Sequence, residues 1–200
     1  MRARCVRIDH DDVRRRAVAL EIAGVRGAAL DAEDGLLHLA LHLSLGSEFG
    51  RVIWFADVDA VVRRCPIDWN RLAAEAERWG VRGIVGYTLR VVREAFGTPV
   101  PARVLARLLL GRVRLSCVSA CLATRHPPSL ERGFTGYRAY VAEALLMDRA
   151  RDVLAVVWRS VFLTRTWMRF HYGTAAPLRI AWYRVVHPLR VCWLALRHLA

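Results

Sequence analysis

Two histidines, one arginine and one aspartate carry the possible chemistry of this chain. His38 and His42 stand four residues apart in the leucine-rich stretch LDAEDGLLHLALHLSLG, Arg51 follows, and Asp57 sits inside the apolar run VIWFADVDAVV. Side chains at i and i+4 share one helix face. The two imidazoles can therefore meet a nucleotide, hold a metal, or pack on each other. HLALH lacks the glutamate of the HExxH zinc motif, and no third ligand stands near it in the sequence. An aspartate on an apolar helix face needs a partner or a purpose, and Arg51 is a candidate to neutralise Asp57. Asp57 and Asp59 spell DVD. Carboxylates at i and i+2 converge on a strand but diverge on a helix, whereas two-metal chemistry needs them aimed at one point. The surroundings read as helix, so Asp59 is assigned to an i,i+4 pair with Arg63. Asp57 shares its face with Trp54 and Val61.

These residues sit among mostly helical elements. Val18, Leu20 and Ile22 alternate with smaller or charged residues, Ala23-Gly24 suits a turn, and Val25 starts a return. This predicts a short β-hairpin over about 17–30. Two strands alone are marginal in water and need a neighbour. Asp31 is expected to cap a helix running to about Leu45, with Glu33 and Asp34 in its first turn. A second helix runs from Arg51 to Arg64 and stops before Pro66. Asp68 caps a third, closed by Gly80. A fourth covers Val81 to Ala95, closed by Gly97, and a fifth starts at Pro101 and extends to about Thr124. The segment 125–136 (RHPPSLERGFTG) is a loop. Helices follow over Tyr137–Met147, Arg149–Leu163 (with Asp148 as its expected cap) and Thr166–Phe170, and a last one begins near Pro177. The fold class is thus mainly α, a multi-helix bundle with a short N-terminal β-hairpin. Its parts are an N-terminal segment 1–30, a first helical bundle 31–124, the loop 125–136 and C-terminal helices 137–200.

Composition bounds the function. The chain has 200 residues, 55% of them hydrophobic, enough for a sizeable core. Charge is lopsided: 31 basic residues, all of them Arg, oppose 18 acidic ones for a net +13. Arginine bias in a GC-rich genome accounts for the residue type. The excess charge still creates a field that suits an anionic partner. The acidic cluster Asp9, Asp11, Asp12 precedes Arg14, Arg15 and Arg16 and reads as a solvated, self-compensating helix start. Cys5, Cys65, Cys117, Cys121 and Cys192 are odd in number and irregular in spacing, and no signal-like apolar run precedes them. Reduced thiols and a cytoplasmic location are expected. No charge-free stretch of 18 apolar residues exists, so no transmembrane segment is expected.

The last helix is amphipathic and basic. Arg179, Arg184, Arg190 and Arg197 fall on one side, with His187 and His198 beside them. Trp182, Val185, Leu189 and Trp193 lie in the stripe opposite. The simplest expectation is a surface helix packed on its own domain, kinked at Pro188. A membrane-surface helix or a nucleic-acid face are the alternatives.

The block Leu30–Arg64 resembles the "LHlclH … r..Wl.Dla.ll" segment of a bacterial nucleotidyltransferase family. CPIDWNRLAAEAERWGVRGIVGYTLRVVREAFGTPVP resembles a helix pair of that family. YVAEALLMDRARDVLAVVWRSVFLTRTWMRFHYG resembles its later helices, with Leu163-Thr164 where the family has proline. WYRVVHPLRVCWL resembles its closing helix. The resemblance implies a segment that follows the last strands of a transferase fold. Family enzymes are expected to use a Gly-Ser or Gly-Gly turn, a strand-borne DxD, a third carboxylate and a divalent metal to move a nucleoside monophosphate. Those motifs are missing from this sequence; MRARCVRIDHDD stands where the third carboxylate's strand would come. The resemblance thus implies the helical portion of such a protein, probed at His38, His42, Arg51 and Asp57 as the junction with an active site. No cofactor is expected for these residues alone; magnesium and a nucleoside triphosphate enter only with a catalytic domain. Three readings follow: a fragment of a longer enzyme, a companion subunit of a separate catalytic chain, or an Arg-rich module binding nucleic acid or a membrane surface.

Overall fold

The hairpin forms where the alternation places it. In a computed structural model, strands β1 (Val18–Ile22) and β2 (Val25–Ala29) pair antiparallel, with Val18 opposite Ala29 and Ile22 opposite Val25. The two turn residues, Ala23 (φ 51°) and Gly24 (φ 80°), are both left-handed. That geometry matches the twist of a two-residue hairpin, and glycine suits it better than alanine. The structure describes residues 6–46, 49, 51–123, 137–162 and 164–199. It divides into two compact units, Met1–Arg149 and Ala150–Ala200.

The first unit begins with α1 (His10–Arg16), whose Asp9 side chain accepts from the Asp11 and Asp12 amides. After the hairpin, α2 (Ala32–Leu41) starts at Asp31, which accepts from the Asp34 amide at 2.9 Å. It continues as a π-helical turn, His42–Gly46. Helix α3 (Val52–Arg64) ends ahead of Pro66 with Cys65 extended, as a residue near proline prefers. Asp68 caps α4 (Trp69–Trp79), and left-handed Gly80 closes it. Then come α5 (Arg82–Phe96), α6 (Ala102–Leu108), α7 (Arg112–Ala123) and α8 (Tyr137–Leu146). Helix α5 is the hub, packing against α2, α3, α4, α6 and α8. Leu37, Leu43, Leu72, Ile84 and Leu108 are fully buried in this unit. Close approach needs glycine at Gly86: an added Cβ would lie 2.8 Å from the Leu108 carbonyl oxygen.

Three expectations are corrected here. The fifth helix is two, α6 and α7, because Leu109 is extended (ψ 145°). Leu108 and Leu110 are both buried. Residues two apart point to different sides of a helix, so the break lets both turn inward, and Gly111 offers little resistance to it. Asp148 does not cap the helix that follows it. Its carboxylate accepts from the Arg82 and Gly83 amides at 2.7 and 3.0 Å, at the start of α5. Those amides are orphans of the helix end, and Val81 makes no side-chain cap of its own. Helix α8 lies in the first compact unit, where it packs against α5 and α7. The loop expected over 125–136 lies outside the described residues.

The second unit comprises α9 (Ala150–Val161), α10 (Arg165–His171) and α11 (Pro177–Leu199). Helix α11 runs on through Pro188. The third correction concerns its faces. Among its residues whose burial is described, Ile180 and His187 are buried. Tyr172 shares a 2.8 Å hydrogen bond with His187 Nδ1 and stacks on Tyr183 at 3.9 Å. The apolar stripe expected to pack instead faces out: Trp182, Val185, Leu189 and Trp193 are 56–66% exposed, and Leu178 ahead of them is 86% exposed.

Candidate functional site

The candidate site is built where α2 meets α3. Helix α2 carries His38 on an exposed position, and the π-helical turn carries His42 on a half-buried one. Their rings lie 6.4 Å apart and nearly parallel, at 16°. His42 meets Trp54 edge-on, with centroids 4.4 Å apart. The three rings form a rail, His38–His42–Trp54. π-Helical turns widen the backbone and frequently occur at functional sites. Here the turn sits under His42 itself.

Arg51 and Asp57 flank Trp54, each three residues away along α3. Arg51 is the exposed N-cap of α3 and makes no side-chain cap bond. Asp57 is half-buried. No ion pair or hydrogen bond joins Arg51 to Asp57 among the described residues, so the expected neutralisation is not seen. The structure thus brings the two histidines together and sets Arg51 and Asp57 on the neighbouring helix. Trp54 is the residue that sequence reasoning underweighted. Its Nε1 is buried without a hydrogen-bond partner among the described residues, a donor whose desolvation is uncompensated. Its place three residues before Asp57 was the available signal.

Asp59, the other half of DVD, is structural. Its Oδ1 accepts from Arg63 Nε at 2.8 Å, as the spacing predicts, and from the Thr98 hydroxyl at 2.6 Å. Arg63 also donates to the Phe96 carbonyl. Thr98 first, then Arg63, hold the Asp59 carboxyl below the usual range. These bonds fasten α3 to the end of α5. Among the described residues, no group of three or more His, Cys, Asp or Glu is placed to hold a metal ion.

An ion network anchors the first turn of α2 and so positions His38. Asp34 is 1% exposed and receives Arg16 in a two-pronged pair, Nε and Nη2 each at 2.9 Å. Arg16 also donates to Asp12 at 2.7 Å. Asp12 further accepts from Arg78 of α4. The acidic cluster at the N-terminus therefore does more than compensate itself: Asp12 and Arg16 tie α1 to α2 and α4. Arg16, Arg78 and Arg15 together hold the Asp12 carboxyl far below the usual range. Buried Glu33 accepts from Arg71 and from the Asp68 amide. Burial pushes the Asp31 carboxyl up, but Arg71 at 2.7 Å and the Asp34 amide outweigh it and bring it below the ordinary value.

This stretch carries a nucleotidyltransferase-like family domain. Residues 2–97 match the model of a family described as uncharacterised nucleotidyltransferase. The match spans the hairpin and α2 to α5, and it includes His38, His42, Arg51 and Asp57. No curated protein and no solved structure matches the chain.

Proposed function

We propose that this chain is the helical accessory part of a nucleotidyltransferase, working with a catalytic domain supplied by polypeptide outside these 200 residues. The observation that carries this reading is the bare hairpin. Val18, Leu20, Ile22 and Val25 are 44–71% exposed, and the sheet has only β1 and β2 among the described residues. A two-stranded sheet with apolar side chains and open edges is a template for further strands. The hairpin lies within the matched stretch and directly precedes α2. A catalytic sheet extending it would come up beside the helices that carry the candidate residues.

In this reading the exposed Arg51 contacts the nucleotide phosphates, as a guanidinium fork suits. His38 and His42 face the junction, and Asp57 orients a group there. Magnesium and the nucleoside triphosphate come with the catalytic domain, which supplies converging carboxylates. The chain alone transfers no nucleotide.

The test has two arms. The purified chain is incubated with magnesium and each radiolabelled nucleoside triphosphate; label moved to any acceptor overturns the reading. The chain is then co-expressed with the polypeptide encoded immediately upstream of Met1. Co-purification that Ile22→Asp with Val25→Asp abolishes, at unchanged helical content, is the expected result. An upstream sequence without a Gly-Ser turn and strand DxD argues against this source of the catalytic domain.

A further inference from the structure

The C-terminal unit combines an exposed apolar stripe with an excess of arginine. Leu178, Trp182, Val185, Leu189 and Trp193 follow one another at spacings of four, three, four and four, and all are at least 56% exposed. They form one continuous apolar stripe along α11. The face that packs, through Ile180 and His187, is a different one. Helix α9 repeats the pattern: Leu154 is 68% and Trp158 63% exposed, and Phe162 just beyond its end is 48% exposed with its ring 4.1 Å from that of Trp158.

Charge decides what covers these stripes. Residues 150–200 contain eight arginines and one acid, Asp152. On α11, exposed Arg179 and Arg190 border the stripe, and Arg184, also exposed, lies nearer the face of Ile180 and His187. We propose that α11, with α9, docks this unit on an anionic lipid bilayer surface. Indole and aliphatic side chains enter the boundary between headgroups and acyl chains, and the arginines meet lipid phosphates. No helix among the described residues is long and apolar enough to cross a membrane, so the unit lies on the surface. A nucleic-acid groove accounts for the arginines but not for the leucine, valine and tryptophan between them. A second copy of the chain accounts for the stripe but would bring two such cationic surfaces together. This inference is independent of the accessory role assigned to the N-terminal unit.

The experiment is flotation of the full chain with vesicles of phosphatidylcholine alone, or of equal parts phosphatidylcholine and phosphatidylglycerol, at low salt. Binding to the anionic vesicles and about a hundredfold less to the neutral ones is expected. Replacing Arg179, Arg184 and Arg190 by Gln should weaken anionic binding about a hundredfold, at about 1 kcal/mol per arginine. Trp182→Ser with Leu189→Ser should weaken it at least about tenfold. All five positions are exposed, so an unchanged urea midpoint shows that both variants are folded. Failure to float with anionic vesicles overturns the proposal. So does binding that survives the Trp182 and Leu189 changes. A solution dimer that those changes dissociate, or a salt-sensitive shift of duplex DNA without vesicle binding, replaces it with the corresponding partner.

Discussion

Replacing Arg16 by Met tests whether the ion network holds the N-terminal unit together. Asp34 is 1% exposed and Arg16 is 20% exposed, with both guanidinium contacts at 2.9 Å. Removing the arginine leaves a carboxylate in a site that water barely reaches. Breaking a buried pair from one side costs about 3–5 kcal/mol. The same change at Arg14 is the control: Arg14 and its partner Asp11 are 81% and 78% exposed, and such pairs contribute about 0–1 kcal/mol. With a urea dependence of about 2 kcal/mol per molar, Arg16→Met should lower the unfolding midpoint by about 1.5–2.5 M, and Arg14→Met by less than about 0.5 M. Pairing Arg16→Met with Asp34→Asn should recover part of the loss, because the stranded charge is gone. Urea titrations followed by far-ultraviolet circular dichroism read all four proteins. If Arg16→Met shifts the midpoint no further than Arg14→Met, the pair is not buried in the way described.

Further outcomes follow from other features. Gly86→Ala should destabilise the N-terminal unit by about 1–3 kcal/mol, since the new methyl meets backbone at Leu108; an unchanged urea midpoint would show that α5 and α6 are not so close. Ala23→Asn should increase amide protection of β1 and β2, because Ala23 is held at φ 51° and asparagine tolerates that region better; hydrogen exchange no slower than in the parent would contradict this. Asp12, Asp31 and Asp59 are all held below their ordinary values, as is Glu77 of α4, which accepts from Arg107 of α6 at 2.8 and 2.9 Å. Each depressed group contributes stability present above its unfolded value, about 4, and lost as pH falls through its folded one. The urea midpoint should therefore fall progressively below about pH 4, and one that stays level to about pH 2 would contradict the network.

Local signals in the sequence located most elements. The Asp31 and Asp68 caps, the Gly80 and Gly97 stops and the Ala23-Gly24 turn are each decided by a few neighbouring residues, and the structure has them where the sequence puts them. Asp59 with Arg63 was legible for the same reason. What was hidden depends on residues far apart. Asp148 reaches an amide 66 positions away, and Arg16 reaches Asp34 across the hairpin. The break at Leu109 is set by where Leu108 and Leu110 must pack, not by a proline. At the candidate site, helical spacing paired His38 with His42, but the contact between His42 and Trp54 follows from how α2 and α3 pack. No pattern in either segment specifies that.

Asp148 also bears on where this unit can receive an anion. The opening turn of a helix, with amides pointing outward and a partial positive charge, is a common natural seat for a triphosphate. In α5 that seat is taken by a side chain of the same molecule. An anion approaching this helix end would have to evict a tethered carboxylate to use it.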